Sequence, residues 1–531
     1  MSPPSAIPPA LSRVEGPALD RAPGRVEARQ VTVLGLGLFG GGAGAARYFA
    51  ERGARVIVSD LRDASRLAES LKALEGLPIE FRLGPASGGA EDFAGSDLVV
   101  VNPGVPPESP ALAAAPRCGA RLDTEINLLL RLCPAPVAAV TGTNGKSTTV
   151  ALLGEMLRQT GRKTWVGGNL GGSLLPQVDE IAAGDIVVLE ISSFQSQRLA
   201  WAGLSPHLGA VLNLTPNHLD RHRDMAEYAE AKRQLLLRQG PGDFAVLNGQ
   251  DPVLRTWTEA GLGRKLFFGA EPEAPAGIRL DGETVRLWRD GKRLEISLAQ
   301  MRIPGAHNRF NAACAAASAW LLGAEPKAIE AALADFPGLP DRIEFVAESG
   351  GVRYYNDSIA TTPESTMVAL EAFREPIVLI AGGSSKNLSF EEVGRRIARR
   401  AKAVILIGAT APELERAIRA GAEAFTAEAE SAPGTAHERT PRTKAVSDNA
   451  VLGVLCASAV KPAVVCPPIH AAKSLEEAVR LASRIARPGE VVLMSPACAS
   501  FDMFRNYAER GEKFREFVRR LTILETTDEH R

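Results

Sequence analysis

The sequence predicts an α/β protein of three domains: an N-terminal Rossmann-like domain, a central P-loop ATPase-like domain with a mostly parallel sheet, and a C-terminal Rossmann-like domain. Three observations predict it. Short apolar runs ending in glycine alternate with helix-patterned segments from about residue 31 onward, the pattern of parallel β-α-β units. Two of these runs empty into glycine loops, Gly35-x-Gly37-x-x-Gly40 and Thr141-Gly-Thr-Asn-Gly-Lys-Ser-Thr148. The length of 531 residues, 45% hydrophobic, exceeds one core and suggests about three domains.

Composition excludes several function classes. A formal net charge of -1 gives no argument for nucleic acid, and no run approaches the eighteen or so apolar residues of a membrane span. Cys118, Cys133, Cys314, Cys456, Cys466 and Cys498 are scattered without a CxxC pair. Reduced thiols in a cytosolic protein fit that pattern better than a disulfide or zinc framework. The first thirty residues are rich in Pro, Ala and Arg without a signal-peptide core, and read as a flexible leader.

The first domain is expected over 31–134. Gln30-Val-Thr-Val-Leu34 is a buried-strand pattern, followed by a helix at about 44–52 and a second strand ending at Asp60. An acid there suits a ribose, yet the glycine fingerprint alone is weak. NAD or FAD, another nucleotide-linked ligand, or a plain structural turn all remain compatible, the second most of all. Asp97-Leu-Val-Val-Val101 then stops at Asn102-Pro-Gly-Val-Pro106, a loop of the kind that forms ligand clefts at a sheet edge. Residues 122–131 read as a helix with Asp123 or Thr124 at its cap, and Pro134 and Pro136 mark the boundary.

The central domain, 135–339, opens on the phosphate loop. Gly142 to Thr148 would wrap phosphates with backbone N–H groups, Lys146 would reach the outer phosphates, and Ser147 would face Mg²⁺. The loop is one residue shorter than the common spacing, so an ordinary strand-to-helix turn is the competing reading. Asp185-Ile-Val-Val-Leu-Glu190 ends in an acid suited to Mg²⁺, the alternative being a solvated strand end. Ala210-Val-Leu-Asn-Leu-Thr215 empties into Pro216-Asn-His-Leu-Asp-Arg-His222, where His218 can ligate a divalent ion and Asp220 can orient an imidazole. His218 and His222 have a zinc-like spacing, but no HExxH acid or cysteine cluster joins them, which favours a wet Mg²⁺ and phosphate cluster. Lys232, in a charged helix at about 224–238, reads equally as a solvated surface lysine. Asp251 falls in a turn where ring or ribose contacts are possible. Residues 282–298 read as a hairpin with an Asp-Gly turn, and His307, Asn308 and Asn311 cluster at the start of an Ala-rich helix.

The third domain, 340–531, repeats the strand-loop alternation. Its edge loops are Asn356-Asp-Ser-Ile-Ala-Thr361, Gly382-Gly-Ser-Ser-Lys386 and Ser495-Pro-Ala-Cys-Ala-Ser-Phe-Asp502. Cys498, with no histidine nearby in sequence, reads as a packing thiol rather than a nucleophile. An atypical insertion at about 427–461 interrupts the pattern, with a polar loop over 430–447.

Taken together, Gly142-Thr-Asn-Gly-Lys-Ser-Thr148, Glu190-Ile-Ser-Ser-Phe-Gln195, Asn213-Leu-Thr-Pro-Asn-His-Leu-Asp220, Gly305-Ala-His-Asn308 and Ser495-Pro-Ala-Cys-Ala-Ser500 resemble the ATP-dependent Mur ligase family over about 31–520. The pattern is most similar to members that add D-glutamate to UDP-N-acetylmuramoyl-L-alanine through an acyl phosphate, in peptidoglycan precursor synthesis. The resemblance implies ATP and two Mg²⁺ ions as cofactors. It implies that Lys146 holds the β/γ phosphates, that Ser147 and Glu190 bind one Mg²⁺, and that His218 and a carbamylated Lys232 serve the second. Asn308, Asn311, Arg342 and Asp357 look like nucleotide contacts. Leu38, Phe39, Asp60 and Asn102 to Gly104 resemble the uridine-diphosphate pocket, with Asn169, Ser192, Gln195 and His218 on the muramoyl-peptide side. Thr361, Lys386, Ser500, Phe501 and Tyr507 would grip glutamate. A cytoplasmic monomer with no nucleic-acid partner is implied.

One departure bears on the substrate. Those members usually carry Asp-Ser-Lys-Ala-Thr where this chain has Asp357-Ser-Ile359-Ala-Thr361, removing an ammonium from the glutamate side. Tyr507 and Phe39 also replace a common Phe and a small polar residue. An L-glutamate-adding variant is therefore the first alternative. A folylpolyglutamate synthase-like ligase, which would lack the uridine-binding first domain, and a non-catalytic nucleotide-binding module follow it.

Overall fold

The computed structural model describes residues 28–37, 40–218, 221–271, 274–385, 388–431 and 466–528. Leu38, Phe39, Asp220 and Lys386, nearly all of the expected leader, and positions 432–461 of the expected insertion lie outside them. The chain divides into two compact units, one built from residues up to Phe336 and the other from Pro337 onward together with Ile303–Gly305.

The first unit carries two sheets. In the first, β1 (Gln30–Leu34), β2 (Arg55–Asp60), β3 (Ile79–Leu83), β4 (Leu98–Val101) and β5 (Arg121–Asp123) run parallel in the order β3-β2-β1-β4-β5. That order reverses between β1 and β4, which opens a crevice at their carboxyl ends. Val31, Val33, Val56, Val58, Val99 and Val101 are buried on both faces of this sheet, as the unbroken apolar runs require.

The second sheet holds β6 (Val137–Thr141), β7 (Thr164–Gly168), β8 (Ile186–Glu190), β9 (Leu208–Val211), β10 (Phe244–Asn248), β11 (Arg264–Phe268), β12 (Ala276–Asp281), β13 (Thr284–Arg289) and β14 (Lys292–Ser297). Its order is β14-β13-β12-β11-β10-β9-β6-β8-β7. Only the β12-β13-β14 additions are antiparallel. The expected hairpin turns on Asp290 and Gly291, both with positive φ (51° and 75°), as a two-residue Asp-Gly turn demands.

In the second unit β15 (Glu344–Ser349), β16 (Val352–Asn356), β17 (Ile377–Gly382), β18 (Ala401–Ile407), β19 (Ile469–Ala471) and β20 (Val491–Met494) form the order β15-β16-β20-β17-β18-β19. All but β15 are parallel. The sheet buries Val378, Ile380, Val404, Ile405, Val492 and Leu493 completely.

Three local expectations need correction. Residues 121–123 are an edge strand rather than the start of a helix, because they pair with β4. The helix begins after Thr124, whose hydroxyl accepts from Asn127 N at 3.2 Å, and runs Glu125–Leu132. The helix expected to reach 238 ends at Arg233, and the following turns bury Leu235 and Leu236. The loop expected from 430 starts inside a helix, Ala411–Ser431.

Candidate active site

The phosphate loop follows β6, which lies between β8 and β9 and so ends where the strand order reverses. Gly142 and Gly145 have φ of 153° and 84°, and a Cβ on Gly145 would fall 2.3 Å from Asn311 Oδ1. The loop therefore needs glycine there for both conformation and space. Asn213 braces it: its Oδ1 accepts from Asn144 N at 2.8 Å and its Nδ2 donates to Asn144 O at 3.1 Å. The helix Lys146–Arg158 starts with no side-chain cap, which leaves its positive end to an anion. Lys146 Nζ folds over the loop, donating to Gly142 O and Thr143 O at 3.0 and 2.8 Å. Asn308 and Asn311 are buried neighbours, Asn311 Nδ2 donating to Asn308 Oδ1 at 3.2 Å.

Glu190 ends β8, in register with Val140 of β6. It is buried, and its Oε2 has no hydrogen-bond partner among the described residues. A buried carboxylate oxygen without a donor is costly, and a divalent cation would satisfy it. The residues present thus fit Mg²⁺, which takes few protein ligands and completes its shell with phosphate oxygens and water. Among the described residues no group of three or more His, Cys, Asp or Glu could hold a metal alone.

The reading of Lys232 as a solvated surface lysine is overturned. It is 1% exposed, and its Nζ donates to Thr141 Oγ1 at 3.2 Å and Gly142 O at 2.9 Å and lies 4.7 Å from the Tyr228 ring centroid. Burial, reinforced by the neighbouring Lys146 charge, holds its pKa well below the ordinary lysine range. Tyr228 is itself locked by Thr143 Oγ1 at 3.1 Å. Asp251 is likewise inward: its carboxylate accepts from Leu214, Val253 and Leu254 N–H groups, so it is a loop anchor rather than a ring or ribose contact.

A cavity of about 350 Å³ opens between the two sheets of the first unit. Asn102 to Gly104 and Arg62 line it from one side, and Asn169, Ser192, Gln195 and His218 from the other. Ser192 and Gln195 form a capping box on the helix Ser193–Gln197 that engages Gln195 Oε1, so a ligand can meet only its amide nitrogen without breaking the cap. His218 adopts φ 54°, a strained backbone for a non-glycine residue, with its ring 5.2 Å edge-on to Phe194. His222 Nε2 lies 3.0 Å from Ser193 Oγ and its ring stacks on Phe194, which gives it a packing role instead of a shared metal.

Asp60 is not among the cavity residues. Its carboxylate accepts from Leu36 and Gly37 N–H groups and pairs with Arg62, whose bonds outweigh burial and hold its pKa below the ordinary range. Sequence reasoning missed Arg62 and Glu125. Glu125 lines the cavity, is buried, and accepts from Ser173 Oγ at 2.5 Å, while burial pushes its pKa up to about 7. Its only sequence signal, an acid in a first helical turn, is common to ordinary helices.

In the second unit the loops after β16, β17 and β20 share one carboxyl edge. Asp357 is buried, accepts from Ser495 Oγ (2.7 Å) and Ile343 N (3.2 Å), and is pushed by burial up to about 7. Ser500 is buried, whereas Phe501 and Tyr507 are 72% and 41% exposed. Thr361 follows in the loop after β16, its N–H donating to Ile359 O at 2.7 Å. Arg342 acts favourably on the Asp357 carboxylate. Cys498 is buried 3.1 Å from Thr410 Oγ1, and burial pushes its thiol up to about 11, so it packs rather than attacks.

A glycine phosphate loop, an orphan acid at the neighbouring strand end and a cavity beside them define a nucleotide-using α/β enzyme. Models of a MurD-like N-terminal domain of Mur ligases, of the Mur ligase middle domain and of the Mur ligase glutamate ligase domain match residues 29–122, 140–319 and 341–498. UDP-N-acetylmuramoylalanine--D-glutamate ligase of Roseiflexus sp. (strain RS-1) is 41% identical, covering 93% of this chain and 99% of that protein. The enzyme of the same name from Symbiobacterium thermophilum is 39% identical, over 93% and 98%. Among solved structures, UDP-N-acetylmuramate-alanine ligase MurC of Thermotoga maritima shares the fold at TM-score 0.54 and 18% identity, covering 93% of this chain and 99% of that one. MurF of Acinetobacter baumannii does so at 0.52 and 15%, over 91% and 93%. The chain belongs to the Mur ligase family.

Proposed function

We propose that this chain joins D-glutamate to UDP-N-acetylmuramoyl-L-alanine, driven by ATP, in peptidoglycan precursor synthesis. The observation that carries the reading is the juxtaposition of the phosphate loop with the orphan oxygen of Glu190. The names of the two relatives give the substrates. The acceptor's alanine carboxylate attacks the γ-phosphorus of ATP, and ADP leaves. The glutamate amine then attacks the acyl carbon, loses a proton, and the tetrahedral intermediate expels phosphate. Charge develops first on phosphoryl oxygens and then on the tetrahedral oxygen, so fixed cations and N–H groups carry most of the acceleration.

Residue by residue, Gly142 to Thr148 cradle the phosphates and Lys146 turns from its loop carbonyls to the β/γ oxygens. Ser147 and Glu190 would hold one Mg²⁺, and His218 with a carbamylated Lys232 would hold the second; these ions would supply neutralisation of charge on the transferring phosphoryl group. The depressed pKa of Lys232 supports that modification, because only a neutral amine combines with CO2. Asn308, Asn311, Arg342 and Asp357 contact the nucleotide. The acceptor takes the cavity, meeting Asn102, Gly104, Asn169, Ser192, Gln195 and His218, with Leu38, Phe39 and Asp60 on the uridine side. Thr361, Lys386, Ser500, Phe501 and Tyr507 take glutamate. The family resemblance supports a cytoplasmic monomer. Separately, among the described residues no helix is long and apolar enough to cross a membrane.

The test is phosphate release measured with each substrate omitted in turn, and with D- and L-glutamate side by side. Release must require both the acceptor and glutamate. Release that persists without the acceptor refutes the reading. A preference for L-glutamate moves the enzyme to the alternative favoured by Ile359 standing where related enzymes carry lysine.

A further inference from the structure

The loop that follows β4 has a hydrogen-bonding problem. Pro103 and Pro106 bring no N–H, and the turn satisfies itself only in part, through Gly104 N to Asn102 Oδ1 (2.9 Å) and Val105 N to Asn102 O (3.0 Å). In this half-exposed loop the carbonyls can take donors from water or from protein, and only protein donors fix the loop's position. Two arginines of the neighbouring sheet provide them. Arg198 Nη1 donates to Asn102 O at 2.6 Å and its Nη2 donates to Val105 O. Arg221 Nη2 donates to Gly104 O at 3.1 Å.

These two side chains hold strategic positions in the chain. Arg198 closes the helix that begins with Ser192 and Gln195, and Arg221 comes three residues after His218. Arg198 is 5% exposed, its own carbonyl accepts from Asn127 Nδ2 at 2.9 Å, and its guanidinium lies 5.2 Å from the Trp201 ring. Arg221 lies 5.2 Å over Phe194, the ring that also packs on His218. Neither arginine has an ion-pair partner among the described residues, and burial together with Arg221 lowers Arg198 to about 10, leaving it charged at neutral pH. A buried cation held by carbonyls and one aromatic ring, with no counter-ion among the described residues, is an expensive way to close a loop. A neutral donor would close it at lower cost. What two guanidiniums add is a fork geometry that fixes three carbonyls at once, and positive charge directly behind the cavity wall.

We propose that Arg198 and Arg221 are positioning residues that clamp the Asn102–Val105 loop against the elements bearing Gln195 and His218, and thereby set the affinity of the cavity for an anionic nucleotide-linked acceptor. The inference rests on the reading that this cavity takes the UDP-linked acceptor. Without the clamp the loop carbonyls lose their donors and Asn102 and Gly104 leave the ligand-ready geometry. Because both arginines act on one loop, their losses overlap instead of multiplying.

Calorimetric binding of UDP-N-acetylmuramoyl-L-alanine to the full-length protein tests this directly, with steady-state kinetics and thermal melting alongside. In Arg221→Ala and Arg198→Lys the Kd and KM for the acceptor rise 10-fold or more, KM for ATP and glutamate stays within twofold, and the double variant falls short of the product of the singles. Arg221 is exposed, so Arg221→Ala keeps the test alive if substitution of buried Arg198 impairs folding. Wild-type binding with unchanged acceptor affinity in Arg221→Ala overturns the clamp alone. Equal rises in KM for all three substrates also overturn it, as general loosening. A wild-type protein that binds no acceptor overturns the functional reading and the clamp with it.

Discussion

Lys146 and Lys232 donate to the same acceptor, the carbonyl of Gly142, at 3.0 and 2.9 Å. Two ammonium groups converging on one buried carbonyl repel each other. Burial above all, with the Lys146 charge adding to it and Glu190 opposing, holds Lys232 well below the usual lysine range. Since its folded pKa lies below the unfolded one, its contribution to stability is complete above the unfolded value and declines as pH falls toward the folded value. The neutral amine is the form that adds CO2. Protein exposed to ¹³C-labelled bicarbonate is expected to show a carbamate carbon resonance that is missing in Lys232→Arg, and Lys232→Ala is expected to lose about 100-fold or more in kcat. An unlabelled Lys232 in a fully active enzyme would exclude the modification.

Glu190 gives activity and stability opposite signs. Its Oε2 is buried without a hydrogen-bond partner among the described residues, so the free protein leaves a buried acceptor unsatisfied. Glu190→Gln removes the charge while keeping the shape. It is expected to leave the melting temperature unchanged or higher, to cut kcat about 100-fold or more, and to shift the Mg²⁺ titration to higher concentration. A Mg²⁺ dependence identical to wild type would remove Glu190 from the metal site.

Glu125 sets a pH dependence. Burial raises it to about 7 from an ordinary 4.5, so the folded protein binds more protons than the unfolded chain between those values. Stability must therefore fall as pH rises through that window, by on the order of 3 kcal/mol. Asp357, also raised to about 7, slopes the same way. Urea melts from pH 5 to 8 are expected to show a shallower decline in Glu125→Gln, with the remainder due to Asp357. Parallel curves for wild type and variant would refute it.

The three sheets and the phosphate loop were legible because their signals are local. A parallel strand buried on both faces is an unbroken apolar run, and a loop that must turn with positive φ displays its glycines. Lys232 was not legible from its own helix. Its neighbours are charged, and the i, i+4 spacing to Tyr228 says that the two share a face without saying that the face meets Thr141 and Gly142. Glu125 and Arg62 were missed for a related reason: the cavity is composed from two sheets, and neither contributor shows its partner in sequence. Asp60 carried the expected acid at the end of β2, yet the nearby backbone N–H groups and Arg62 take up its carboxylate.

Arg510 organises the second unit as the phosphate loop organises the first. It is 1% exposed, and its guanidinium donates to Ser358 Oγ (3.0 Å), Ser358 O (2.8 Å), Cys498 O (two contacts of 3.2 Å) and Ala499 O (3.3 Å). Burial lowers its pKa to about 10, still cationic at neutral pH. One side chain thus ties the loop after β16, which leads to Thr361, to the loop after β20, which leads to Ser500 and Phe501. Arg510→Met would keep much of the volume but leave the buried carbonyls of Ser358 and Cys498 without a donor, while Ala499 O keeps Ser384 N–H and the Ser358 hydroxyl keeps Tyr507 O; the cost is about 3 kcal/mol. Denaturant melts should register that loss, and KM for glutamate should rise about 10-fold as the two loops part. Arg510→Lys, with one ammonium in place of a fork, is expected to fall between. A destabilised Arg510→Met enzyme whose KM for glutamate is unchanged would show that these loops do not hold the amino acid.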